Sequence, residues 1–253
     1  MRVYTDISYK KTGYSYHHLD LYLPDGECSA VVLYFHGGGF IEGSRKDYPK
    51  DHPFIRDMVD AGLGVACSDY ILYPDARFPD FIEDGAAAVK FIKENISEYT
   101  ECKKLIICGT SAGGYMSQML CFDKKYLEAV GVTPDSIDAY IHDAGQTTVH
   151  FNVLRERGFD HRRIMVNDAA PIYHVGLAKS YPPMQLIISD NDIQNRPEQT
   201  DLLVGTLRHF GYDMSRVHLT KTHGKHVWYV DATDENGKSE FAKLILPFIK
   251  TVI

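Results

Sequence analysis

Residues 104–114 read Lys104-Leu105-Ile106-Ile107-Cys108-Gly109-Thr110-Ser111-Ala112-Gly113-Gly114. The unbroken apolar run at 104–108 predicts a strand buried on both faces. It passes straight into Gly-x-Ser-x-Gly, and a helical pattern follows over 112–121. Strand, sharp turn and helix in that order push a serine hydroxyl into the open, so Ser111 is the candidate nucleophile. Glycine at 109 and 113 removes side chains that would collide with the neighbouring strand and helix. The helix start turns its free amides and positive dipole end toward a developing anion.

Outward from this turn the same rhythm repeats. Apolar runs at 30–35, 63–68, 137–141 and 184–188 read as buried strands, and 15–23 and 216–220 alternate as half-exposed ones. Helical spacing marks 51–61, 80–95, 198–210 and 238–251. Strands alternating with helices imply one α/β domain over 1–253, a mostly parallel sheet with helices on both faces. The first two strands lack an intervening helix, which implies an antiparallel edge. Residues 144–174 break the rhythm and carry His150, Phe151, Asn152, Pro171 and a basic cluster of Arg155, Arg157, Arg162 and Arg163. An insertion of this length is expected to act as a lid or binding element.

Composition narrows the class. The 253 residues carry 27 Lys plus Arg against 34 Asp plus Glu, a formal charge of −7, which argues against nucleic-acid or anionic-membrane partners. No run reaches the roughly 18 to 20 apolar residues of a membrane helix, nor the apolar stretch of a signal peptide, and a cytoplasmic protein is expected. Cys28, Cys67, Cys102, Cys108 and Cys121 are odd in number and form no Cys-x-x-Cys, so buried reduced thiols are expected. Most of the twelve histidines, His17 and His18 included, read as surface residues.

A second glycine signal, His36-Gly37-Gly38-Gly39-Phe40, directly follows the strand at 30–35. Acyl transfer needs preorganised donors for its tetrahedral oxyanion, each worth roughly 3 kcal/mol. The amides of Gly38, Gly39 and Ala112 are the candidates, with His36 holding the loop. A phosphate loop is excluded, because neither Gly-x-Gly-x-x-Gly nor a Walker pattern is present.

These two motifs in this order resemble the α/β-hydrolase superfamily, and more closely its hormone-sensitive-lipase-like esterases and small bacterial acetyl-xylan and feruloyl esterases. Leu19-Asp20-Leu21-Tyr22-Leu23-Pro24, Ser68-Asp69-Tyr70-Ile71-Leu72-Tyr73-Pro74-Asp75, Phe78-Pro79 and Asp84 are similar to segments of that family. Ile71 stands where Arg is usual and Asp75 where Glu is usual. The resemblance covers the chain except 144–170, and implies an α/β-hydrolase fold with the triad order Ser, acid, His. After the strand at 184–188 the family's acid position falls on Asp192, with Asp190 as competitor. After the strand at 216–220 the base position falls on His226, before Val227-Trp228, with His223 as the alternative. A calcium loop fails because Asn195 stands where Gly is required. The His-x-x-His pair has no third ligand nearby, so no metal or organic cofactor is implied.

The resemblance thus implies a serine carboxylesterase acting on a small-molecule ester with a short acyl group. Phe40, Tyr115, His150, Phe151 and Trp228 are candidate substrate contacts, Phe40 and Trp228 foremost. Polar residues over 146–152 suit a hydroxylated substrate, so deacetylation of sugars or oligosaccharides is expected. An arylformamidase-like amide hydrolase of the same fold and an inactive ligand-binding module are the alternatives.

Overall fold

Strands form where the apolar runs lie. The computed structural model describes residues 1–253. Its eight strands are β1 (Arg2–Ser8), β2 (His18–Leu23), β3 (Val31–Phe35), β4 (Gly64–Ser68), β5 (Leu105–Thr110), β6 (Ala139–Asp143), β7 (Met184–Asn191) and β8 (Val217–Lys225). They make one sheet in the order β1-β2-β4-β3-β5-β6-β7-β8. The β1–β2 and β2–β4 pairs are antiparallel and the rest are parallel. Register sets the site: Phe35 lies opposite Gly109, Thr110 opposite Asp143, and Asp143 opposite Ile187. The loops that leave β3, β5, β6 and β7 therefore emerge side by side at the carboxyl edge.

Successive side chains of each strand face opposite ways, which divides the core into two layers. Leu33, Phe35 and Ile107 pack beneath α2 (Asp80–Asn95) and α3 (Ala112–Phe122). Val32, Tyr34 and Ile106 pack beneath α1 (Pro53–Asp60) and α7 (Glu240–Val252). α1 starts at Pro53, whose missing N–H costs nothing at a helix start, and the His52 ring accepts the Phe54 amide at 3.2 Å. α7 is capped by the Ser239 hydroxyl, which accepts the Ala242 amide at 3.1 Å. The remaining helices are α4 (Lys125–Ala129), α5 (Phe151–Glu156) and α6 (Arg196–His209). No helix is long and apolar enough to cross a membrane.

Several elements depart from the sequence reading. β1 is an additional edge strand whose exposed residues break any apolar run. β7 and β8 run on through polar residues, because Ser189 still pairs with Thr222 and Asn191 with Lys225. His17 is buried rather than superficial, with its Nε2 3.1 Å from the buried Asp84 carboxylate. That carboxylate also accepts from Lys10 at 2.6 Å and from the Ile71 amide at 3.0 Å. All five cysteines are free and buried, and burial holds the Cys67, Cys108 and Cys121 thiols well above the usual range.

Candidate active site

Ser111 sits at the β5–α3 turn with φ 55° and ψ −107°, a conformation that side-chain-bearing residues rarely adopt. Close approach of α3 to β3 holds it there. A Cβ on Gly113 would lie 2.1 Å from the Phe35 carbonyl oxygen, so only glycine fits. The loop after β8 brings His226 Nε2 to 2.8 Å from the Ser111 hydroxyl, and the loop after β7 brings Asp192 Oδ1 to 2.7 Å from His226 Nδ1. With Nδ1–H donating to Asp192, Nε2 is left to accept the serine proton. The Asp192 side chain is fully buried, and its Oδ2 has no hydrogen-bond partner. Asp190 points elsewhere: its exposed carboxylate takes His223 at 2.5 Å and the Gly224 amide at 3.0 Å.

The His36–Phe40 loop faces the serine turn, and Gly37 closes to 3.4 Å of the Ser111 Cβ when given a Cβ of its own. Gly38 turns with φ 99°, and its carbonyl accepts the Ile41 and Glu42 amides at 3.0 and 3.1 Å. The amides of Gly38, Gly39 and Ala112 make no hydrogen bond within the chain, which leaves three donors free at the turn. His36 supports the loop from beneath. Its ring stacks on Tyr70 at 4.4 Å, its Nδ1–H donates to the Gly37 carbonyl at 2.7 Å, and its carbonyl accepts the Gly113 amide at 3.2 Å. Burial lowers its pKa, so the ring stays neutral at pH 7.

α5 grips the same loop from the far side. Asn152 Nδ2 donates to the Gly39 carbonyl at 2.5 Å, and Asn152 Oδ1 accepts from Arg155 at 2.8 Å. The Phe151 ring lies 3.3 Å from where a Gly39 Cβ would stand.

Three candidate substrate contacts are corrected by burial. Phe40, Tyr115 and His150 are at most 1% exposed. A positive φ of 66° turns Phe40 inward, where it stacks on Phe81 at 4.0 Å and meets His150 edge-on at 4.8 Å. Tyr115 donates its hydroxyl to the Ala169 carbonyl. His150 caps α5 by accepting the Asn152 amide at 3.2 Å, and burial pushes its pKa far down. Phe151 is half-buried and Trp228 is 44% exposed beside Gly224, so these two remain within reach of a ligand. The polar run before α5 is also turned inward. Thr148 is tied to Gln199 at 2.9 Å and Gln146 to the Val149 carbonyl at 2.8 Å, since buried irregular backbone and side chains must find partners. The inner part of 144–174 is therefore packed core.

The sequence reading missed Asp143, at the end of β6. It is fully buried and accepts from Tyr229 at 2.5 Å and Thr110 at 2.8 Å, and its backbone carbonyl takes the Ser111 amide at 2.8 Å. Burial pushes its pKa up to about 7. An Asp closing an apolar strand was the available signal. Backbone strain was also invisible. Of six non-glycine residues with positive φ, five surround the site: Phe40, Ser111, Ala144, Asn195 and Val227.

Known proteins give this geometry a lineage. Esterase LipI of Mycobacterium tuberculosis is 34% identical over 98 residues, 38% of this chain and 30% of that protein. An acetyl esterase of Salmonella schwarzengrund is 32% identical over 98 residues, again 38% and 30%. The matched region thus spans under a third of these relatives' own length. Among solved structures, a truncated carbohydrate esterase from gut microbiota superposes with a TM-score of 0.78 at 19% identity, covering 100% of this chain and 96% of that one. The hyperthermophilic esterase of the archaeon Pyrobaculum calidifontis gives 0.72 at 21% identity, covering 99% and 84%. Both share the α/β-hydrolase fold seen here. The profile of the BD-FAE family matches residues 19–156, more than half of the sequence, and the chain belongs to that family.

Proposed function

We propose that the protein is a serine carboxylesterase for short-acyl esters. One observation carries the reading: the hydrogen-bonded series Ser111, His226, Asp192 ends beside three free amides. In this reading His226 takes the Ser111 proton as the hydroxyl attacks the ester carbonyl. The Gly38, Gly39 and Ala112 amides receive the oxyanion, and His226 returns the proton to the departing alcohol. Water then enters by the same route and frees the acid. Asp192 fixes the imidazole tautomer and balances its transient charge.

The acyl group we assign is acetyl, carried by a sugar or oligosaccharide. Support comes from relatives named acetyl esterase and a structural neighbour described as a carbohydrate esterase. Five free buried thiols suit a reducing compartment, which favours the cytoplasm. The test is hydrolysis of para-nitrophenyl acetate, butyrate and octanoate by wild type and Ser111→Ala. Activity that falls with chain length and vanishes in the variant is expected. Activity surviving in Ser111→Ala overturns the assignment. Acetylated xylo-oligosaccharides turned over no faster than unrelated acetates overturn the sugar part alone.

A further inference from the structure

The basic cluster at 155–163 has a structural setting. A cleft of about 310 Å³ lies between the 146–164 segment and the loop after β7. Arg155, Arg162, Arg163, Arg196 and His161 line it, and no Asp or Glu does. That is unexpected in a chain of net charge −7. Arg162 is satisfied, since Asp160 pairs with it at 2.6 Å. Arg163 makes no ion pair or side-chain hydrogen bond. Arg196 is the most telling. It is 2% exposed, forms part of the cleft wall and donates to the Ala144 carbonyl, and the carboxylate whose charge favours its cation is Asp192 of the candidate site. Burial nevertheless pulls its pKa down to about 10, so Asp192 offsets only part of the cost of burying the cation.

The cleft adjoins the candidate site on two sides. Phe151 is part of its wall and also covers Gly39. Ile193 directly follows Asp192 and Arg196 comes four residues after it, and Ala144, which Arg196 holds, precedes the Gly145 that packs on Gly114 of α3. Arginine forks suit planar carboxylates, with two parallel N–H···O bonds.

We infer that this cleft is an anion subsite, and that the preferred ester carries a carboxylate in its alcohol part. The inference rests on the esterase reading above. Its test compares kcat/KM within two pairs: para-acetoxybenzoate against para-acetoxybenzamide, and meta-acetoxybenzoate against meta-acetoxybenzamide. Wild type is expected to favour the charged member of one pair by about tenfold or more, less so as salt rises. Arg163→Gln should cut the charged-to-neutral ratio at least about fivefold, and Arg163→Lys should keep part of it. Parity in both pairs, or a ratio untouched by Arg163→Gln, overturns the subsite. Neutral-ester turnover that survives Ser111→Ala overturns the esterase reading instead. In that case calorimetric titration with succinate and para-hydroxybenzoate decides the subsite. Binding lost in Arg163→Gln supports it, and no binding to wild type overturns it.

Discussion

Asn152 of α5 holds the carbonyl of Gly39 with a 2.5 Å hydrogen bond, so the segment that interrupts the strand–helix rhythm anchors the glycine loop. Removing that donor loosens Gly39, whose own amide, in the preceding peptide, we assign to the oxyanion. Asn152→Ala should lower kcat roughly tenfold, less than outright loss of an oxyanion donor, with little change in KM. Asn152→Asp should cost more, because a carboxylate oxygen would face the carbonyl oxygen. Steady-state kinetics beside melting curves separate this from unfolding.

The two carboxylates after β7 should differ sharply. Asp192→Asn leaves the geometry in place but favours the wrong imidazole tautomer, and kcat should fall on the order of 10⁴-fold. Asp190→Asn loses only an exposed pair with His223 and should stay within about threefold of wild type. Equal losses in both variants would contradict the assignment.

Asp143 predicts a pH dependence of stability. Its pKa rises from the usual carboxylate range to about 7 on folding, so the folded state binds the extra proton between those values. That contribution is fully present below the unfolded pKa and is lost as pH rises through 7, at a slope of roughly 1 kcal/mol per unit. Asp143→Asn should flatten the decline between about pH 4 and pH 7. Urea denaturation of both proteins across that range is the measurement.

Phe40 and Trp228 should separate stability from binding. Phe40→Ala empties a fully buried aromatic site and should cost about 3–5 kcal/mol. Trp228→Ala changes an exposed ring and should stay within about 0.5 kcal/mol, with its effect appearing in KM.

Much of this arrangement was legible in residues alone. β3, β4, β5 and β6 are buried on both faces and apolar over most of their length, and such runs stand out in any sequence. Ser111 and the glycines at 37–39 are legible because a strand precedes each. α4 and α5, of five and six residues, are too short for a period to show. The inward turn of Phe40 depends on a positive φ that no residue type announces. Asp143 takes its character from burial, and its partner Tyr229 lies 86 residues away in sequence, so only folding creates that environment.

The ring of positive-φ residues around the site has an evolutionary consequence. Each of those conformations costs on the order of 1–3 kcal/mol, and Val227, β-branched and next to His226, is among the least comfortable. Selection for folding alone would replace it with glycine or asparagine, and would relax the turn that presents Ser111. A descendant released from its chemistry should therefore drift toward greater heat resistance. Persistence of these backbone shapes in a lineage would itself be a record of continued use.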